Sequence, residues 1–304
     1  MLRSFFISMS RNKRLRQFSE RSPVGRKLSS RFIAGMTVAE ALKAAEEVNR
    51  EGIAATLDSL GESVLHAKQA HAGAEIYHEL IDAIEKRGLN ANVSVKLSQM
   101  GMEIDPTLAE SIVAGMIAHG VKSNTFVRID MEGSEYTEAT VAMTERLNTL
   151  FPGRVGTVLQ AYLFRTPDDA RRLVEQGIRI RLCKGAYKEP ASIAFPSKSD
   201  VDQNYVNLML YLATSGVFCG VATHDEAIIE KMCGFAEEKK LNKKLFEFQM
   251  LYGIRRDLQR KLAAEGYGVR VYIPFGAEWY PYFMRRLAER PANVLFLAKN
   301  FFKN

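Results

Sequence analysis

The sequence predicts an α/β protein: a single closed (βα)8 barrel of the TIM type with an N-terminal helical arm. Three observations carry this reading. From residue 36 onward, short runs rich in β-branched residues alternate with longer stretches of helical periodicity. The short runs number eight and each is followed by a helical stretch, the count that closes a barrel. An open doubly wound sheet alternates in the same way, but one that binds a dinucleotide usually carries a Gly-rich loop after its first strand. Here the first run ends Asp58-Ser59-Leu60-Gly61-Glu62, and neither GxGxxG nor GxxxxGK followed by Ser or Thr occurs in the chain.

The predicted strands are 52–60, 92–97, 125–131, 155–160, 178–183, 217–223, 245–251 and 269–273. Helical stretches are expected at 38–50, ahead of the first strand, and then at 66–87, 107–119, 136–150, 167–176, 201–215, 225–239, 253–265 and 278–290. Thr37 stands where it can cap the first of these. Thr166-Pro167-Asp168-Asp169 reads as a cap residue before a first-turn proline and two acids. No repeat beyond the βα period and no linker interrupts the pattern. The expected organisation is an arm, residues 1–35, and one barrel domain, residues 36–304.

With 304 residues, 47% of them hydrophobic and 25% charged, the composition is that of a soluble globular protein able to bury a large core. No run approaches the ~18 consecutive apolar residues of a membrane span. The three cysteines, Cys183, Cys219 and Cys233, form no CxxC pair. That argues against a disulfide framework or a structural metal site, and no metal is expected. The net charge of +7 is unevenly placed: residues 1–35 hold nine Lys or Arg and one acid, Glu20, so the arm carries +8 and the remainder −1. Three readings of the arm stand side by side. It is a helical arm packed on the body; or a membrane-surface contact, for which Leu2, Phe5, Phe6, Ile7 and Met9 beside Arg and Lys are suited; or an Arg- and Ser-rich transit peptide. Nucleic-acid binding is not expected, because the rest of the chain has no basic stripe or base-stacking motif.

A barrel places its active site at the C-terminal ends of its strands. Those ends are polar throughout. The second is Lys96, the third Asp130-Met131-Glu132, the fourth Gln160-Ala161-Tyr162, the fifth Arg179 to Tyr187, and the sixth Thr223-His224-Asp225. The seventh strand carries Glu247 and Gln249, and the eighth runs Val271-Tyr272-Ile273-Pro274-Phe275-Gly276. One such residue is ordinarily a solvated rim group; seven converging polar ends point to a binding site. Arg181 alternates with Ile180 and Leu182, so either it or they face the barrel interior. An inward Arg needs an acid or an anionic ligand, and Asp130 is a candidate partner. Lys184-Gly185-Ala186 suits close approach to a phosphate, while a lone His224 is ordinarily structural. In the last helix, Tyr282, Arg285, Arg286 and Glu289 lie at i, i+3, i+4 and i+7 and share one face. Two adjacent guanidinium groups near the mouth suit bidentate capture of a carboxylate.

Four segments carry a family resemblance: Ser94-Val95-Lys96-Leu97-Ser98, Arg181-Leu182-Cys183-Lys184-Gly185-Ala186-Tyr187, Ala222-Thr223-His224, and Tyr282-Phe283-Met284-Arg285-Arg286-Leu287-Ala288-Glu289. They resemble the signatures of the proline dehydrogenase family, in the family's order and over residues 36–300. The Tyr-x-x-Arg-Arg-x-x-Glu helix is the most specific of them. The resemblance implies a distorted (βα)8 barrel that binds FAD without a Rossmann fold, and because no motif suggests a covalent flavin link the FAD is expected to be non-covalent. It implies oxidation of L-proline to Δ1-pyrroline-5-carboxylate, hydride passing to flavin N5 and electrons on to a membrane quinone. By the same resemblance Arg285 and Arg286 bind the proline carboxylate with Lys96 assisting, and Tyr272, Tyr282 and Glu289 shape the pocket. Asp130 and Arg181 are the expected catalytic residues, Arg181 near flavin N5. Met131, Gln160, Lys184, Gly185, Ala186, Thr223 and His224 match flavin contacts. At this length the chain is expected to hold neither the second dehydrogenase domain nor the DNA-binding module of the family's bifunctional form. It is also expected to lack the insertions of longer eukaryotic members, which favours a bacterial monofunctional enzyme and weakens the transit-peptide reading. The expected location is cytoplasmic, with a peripheral contact at the inner face of the cell membrane left open by the arm.

Two other readings use the same residues. A Schiff-base lyase acting on a small carboxylic acid would use Lys96 or Lys184 as its nucleophile and needs that lysine desolvated inside the barrel. A non-catalytic module would attach to membranes or nucleic acid through the basic arm.

Overall fold

In the computed structural model the eight parallel strands close into one barrel in sequence order. The structure describes residues 29–61 and 63–289 together with Leu15, Arg16, Ser19 and Ser22, and leaves out the side chains of 285–289. The strands are β1 Ala54–Ser59, β2 Ala91–Val95, β3 Val127–Ile129, β4 Val155–Gln160, β5 Arg179–Cys183, β6 Cys219–Ala222, β7 Phe246–Leu251 and β8 Gly268–Phe275. The helices are α1 Val38–Arg50, α2 Ala67–Arg87, α3 Pro106–Lys122, α4 Thr137–Leu150, α5 Thr166–Glu175, α6 Lys198–Thr214, α7 Glu226–Glu238, α8 Arg256–Ala264 and α9 Trp279–Glu289. Every predicted strand and helix is present, with ends moved by a few residues.

Local sequence explains most helix starts. Thr37 caps α1 in a reciprocal box: its hydroxyl accepts from the Glu40 amide, and the Glu40 carboxylate accepts from the Thr37 amide. Thr166 behaves differently from its expected role as a cap. Arg165 is the N-cap of α5, and Thr166 is the first helical residue. The Thr166 hydroxyl donates instead to the Gln160 carbonyl at 2.5 Å, fastening the helix start to the end of β4. A buried hydroxyl takes whichever acceptor is in reach, and here that is a strand-end carbonyl.

The strand period sorts the side chains into two shells. Leu57, Val93, Val95, Val127, Ile129, Ile180, Leu182, Val221, Phe248, Val271 and Ile273 are buried in the main core, between strands and helices. Their alternates point into the barrel, where the partners they bond identify them: Thr56, Asp58, Asn92, Ser94, Arg128, Arg181, Glu247, Gln249, Arg270 and Tyr272. A barrel of this kind is usually filled with bulky branched apolar residues. This one is filled with charge and amide groups, which burial makes costly unless each finds a partner.

The mouth is closed on one side by a second apolar cluster. It joins Phe32 and Ile33 to Leu60, Ile254, Trp279, Tyr282, Phe283 and Met284. Backbone bonds from Ala34 to the Pro274 carbonyl (2.9 Å) and from Gly276 to the Gly35 carbonyl (3.0 Å) staple the end of the arm to β8. The chain passes so close to Gly253 that a Cβ there would lie 1.6 Å from the Arg31 carbonyl oxygen. Arg16 pairs with Glu278 at 3.0 Å. Among the described residues no helix is long and apolar enough to cross a membrane.

Candidate active site

Asp58 stands near the C-terminal end of β1, Lys96 and Asp130 stand just beyond the ends of β2 and β3, and Arg181 and Tyr272 lie inside β5 and β8. They form one bonded cluster. The Lys96 ammonium donates to both oxygens of Asp58, at 2.8 and 2.9 Å, and lies 3.7 Å from Asp130 Oδ2. Arg181 Nη1 donates to Asp130 Oδ1 at 3.0 Å. The Ser94 hydroxyl donates to the same oxygen at 2.5 Å, and the Tyr272 hydroxyl to Oδ2 at 2.6 Å. The Arg181 guanidinium also sits 5.1 Å from the centre of the Tyr272 ring. Charge therefore alternates along the mouth, acid, base, acid, base.

Burial and partners set the protonation of these groups. Burial opposes ionisation of Asp130, but Arg181 and Lys96, with bonds from Ser94 and Tyr272, outweigh it and hold its pKa below the usual carboxylate value. Burial pushes Asp58 upward against the pull of Lys96. Burial likewise opposes the Lys96 charge, yet Asp58 and Asp130 raise its pKa above that of an ordinary lysine. That ammonium is held protonated, the reverse of what a Schiff-base nucleophile requires. Burial and the Asp130 charge keep the Tyr272 phenol protonated as a donor.

The residues matched to flavin contacts line the adjoining strand ends. Met131 follows Asp130 and is buried. Gln160 Nε2 donates to the Glu132 carbonyl at 3.3 Å, while Gln160 Oε1 is buried with no partner among the described residues. Gly185 has φ +117° and lies flat against the Tyr162 ring, so a Cβ would fall 2.4 Å from a ring carbon. The Lys184 ammonium, expected to approach a phosphate, is bonded to Asp202 Oδ1 at 2.5 Å and Asp225 Oδ2 at 3.0 Å. It braces the loop between β5 and α6 against the loop before α7. Ala186 follows Gly185 in that loop. Thr223 Oγ1 accepts from the Asp225 amide, and His224 Nε2 accepts from the Leu251 amide at 2.9 Å. An accepting Nε2 places the His224 proton on Nδ1 and ties the end of β6 to β7. The amide oxygen of Gln160, without a partner among the described residues, fits a ligand with a polar edge.

Tyr282 is buried in the mouth cluster. Arg285, Arg286 and Glu289 continue its face of α9 by helical spacing, and their side chains lie outside the described residues. Asp58 was not singled out by the sequence, although it alternates in period two with the inward Thr56. Glu132 is also part of the scaffold: it accepts from the Ser98 amide (3.0 Å) and hydroxyl (2.5 Å), fixing the turn that follows Lys96.

Comparison with known proteins identifies the family. The family model described as "Proline dehydrogenase" matches residues 41–299. The chain is similar to "Proline dehydrogenase 1" of Bacillus subtilis (strain 168), 40% identical over 304 residues and covering 100% of each chain. It is 42% identical over 280 residues to "Proline dehydrogenase" of Deinococcus radiodurans, covering 91% of this chain and 90% of the relative. Among solved structures, proline utilization A from Bdellovibrio bacteriovorus, inactivated by N-propargylglycine, superposes with a TM-score of 0.82 at 24% identity. That match covers 92% of this chain and 34% of the other, and it supports the barrel fold. A family match over residues 41–299 and curated relatives covered to nine tenths or more of their length, on a barrel whose mouth gathers Lys96, Asp130, Arg181 and Tyr272, mean that this chain belongs to the proline dehydrogenase family of oxidoreductases.

Proposed function

We propose that the protein oxidises L-proline to Δ1-pyrroline-5-carboxylate with non-covalently bound FAD, and that the electrons pass on to a membrane quinone. The observation that carries the reading is the alternating Asp58, Lys96, Asp130 and Arg181 cluster, largely shielded from solvent at the mouth. FAD, when bound, supplies the acceptor for the hydride leaving the ring carbon next to nitrogen. The protein supplies placement and charge. Arg285 and Arg286 bind the carboxylate with Lys96 assisting, and Tyr272, Tyr282 and Glu289 wall the pyrrolidine ring. Held this way, substrate and acceptor react as neighbours rather than as partners in solution. Arg181 is a fixed cation at the mouth, and a preorganised cation favours the negative charge that reduction develops on the acceptor. Met131, Gln160, Gly185, Ala186, Thr223 and His224 line the cofactor's side of the site, and Lys184 braces it. Lys96 is held as an ammonium between two carboxylates, so it is not the free amine that a Schiff-base lyase needs. The basic arm suits a peripheral contact at the inner face of the cell membrane, where a quinone is within reach.

The experiment is spectroscopic. The purified protein shows a flavin band near roughly 450 nm, a property of the cofactor, which proline bleaches and acid precipitation releases into the supernatant. Arg285→Met and Arg286→Met each raise KM for proline about tenfold to over a hundredfold, the value of a lost charge-assisted hydrogen bond of roughly 1.5–3 kcal/mol. Arg→Lys restores only part, because an ammonium lacks the planar fork. Unchanged affinity for a carboxylate-bearing proline analogue in both Met variants would make the pair a solvated stripe and reject proline as substrate.

A further inference from the structure

Arg181 is 7% exposed, and its guanidinium is fixed from two sides. Nη1 bonds Asp130 and Ser94, and Nε donates to Gln249 Oε1 at 2.5 Å; Nη2 donates to no protein acceptor among the described residues. Gln249 is itself held from below. Its Nε2 donates to Glu247 Oε1 at 2.7 Å, and that oxygen also accepts from Arg270 Nε at 2.5 Å. Arg270 Nη1 is anchored to the Ala55 carbonyl (2.7 Å) and to Asn92 Oδ1 (3.0 Å), and Asn92 Oδ1 accepts from the Thr56 hydroxyl (2.6 Å). The line of bonds runs through the barrel interior from the N-terminal end of β8 up to Arg181.

Only an amide serves at position 249. Its oxygen must face a cation and its nitrogen an anion, so one orientation is allowed and the flipped one sets like against like at both ends. A glutamate there would oppose Glu247, and an apolar residue would leave both Arg181 Nε and the Glu247 carboxylate short of a bond. Room for the amide comes from the neighbouring strand: a Cβ on Gly220 would lie 2.4 Å from Gln249 Nε2 and 2.7 Å from Cδ. Gln249 is pinned at both ends and has nowhere to retreat.

We propose that Gln249 is a positioning residue for the oxidation. Held by Glu247, Arg270 and the gap at Gly220, it orients Arg181 so that Nη2 is presented to the redox cofactor. This rests on the role given to Arg181 above. The test measures the midpoint potential of the bound flavin and the rate of its reduction by proline in Gln249→Met, Gly220→Ala, Arg181→Met and Gln249→Met/Arg181→Met. Flavin content and thermal unfolding are followed alongside. Gln249→Met and Gly220→Ala each lower the potential and slow reduction about tenfold or more, the scale of one charged hydrogen bond. The double variant is no worse than Arg181→Met, because Gln249 acts only through Arg181. Three outcomes overturn the proposal. A silent Arg181→Met removes the role of Arg181 and the proposal with it. A defective Arg181→Met with Gln249→Met at wild-type potential removes the proposal alone. A double variant whose loss is the product of the single losses shows that Gln249 acts independently of Arg181. Gly220→Ala alters no polar group, so it keeps the test open if Gln249→Met folds poorly.

Discussion

Asp130 shows how much of the site rests on single atoms. Its two oxygens accept bonds from Arg181, Ser94 and Tyr272, and Lys96 lies beside them. Removing its charge leaves Arg181 buried without its anion, a loss of about 3–5 kcal/mol for a broken buried pair. The pH dependence has a definite sign. The folded pKa is depressed, so the stabilisation is complete above the unfolded value of about 3.9 and fades as pH falls through the folded one. The stability gap between wild type and Asp130→Asn, read from urea unfolding, is therefore widest near neutrality and narrows below about pH 4. A gap that stays constant across that window would mean that the carboxylate is not depressed in the folded state.

Single elements explain why the site residues meet. Strands β1, β2, β3, β5 and β8 each bring one member of the cluster to the mouth, and the loops after β5, β7 and β8 turn at glycines of positive φ, Gly185, Gly253 and Gly276. The loop after β5 is the sharpest case, because Gly185 combines φ +117° with contact against the Tyr162 ring. Gly185→Ala must strain the backbone by about 1–3 kcal/mol or displace the ring. The barrel tolerates that, since the loop lies outside its ladder of strands. The expected result is an unfolding temperature near wild type with weaker FAD retention, checked by the flavin left after gel filtration at low concentration. Full retention would place the cofactor away from this loop. At α9 the same logic runs through packing: Trp279, Phe283 and Met284 anchor the helix to Phe32 and Ile33, and the Arg face is carried by whatever those contacts allow.

The whole molecule is a near-neutral barrel body with a +8 arm. Phe32, Ile33, Ala34 and Gly35 belong to the fold, bonded to β8 and packed on α9. Residues 1–28 carry eight of the arm's nine basic residues. Deleting 1–28 leaves reduction of a soluble dye by proline unchanged but weakens binding to anionic vesicles, each lost cation contributing on the order of 1 kcal/mol near a charged surface. The loss shrinks as salt rises. Equal vesicle binding with and without the segment would retire the membrane role. A deletion extended through residue 35 removes the Phe32 side chain, worth about 3–5 kcal/mol of core packing, and lowers stability as well.

All eight strands, the helices between them and the Thr37 cap were legible in the sequence, because periodicity and capping are local signals that span a few residues. The polar strand ends were legible for the same reason, and so was the resemblance carried by the last helix. The phase of the alternation was not. Arg181 reads equally well facing in or out until the barrel closes and its partners appear, and those are Asp130 and Gln249, 51 and 68 residues away. Asp58 was not singled out, because the Lys96 that pairs with it stands 38 residues on. Lys184 looked free for a phosphate until α6 and the loop before α7 brought Asp202 and Asp225 against it. Local sequence determines which elements form and which side chains share a face. Only closure of the barrel decides which face is buried, since a charge there survives only beside a partner delivered by another strand.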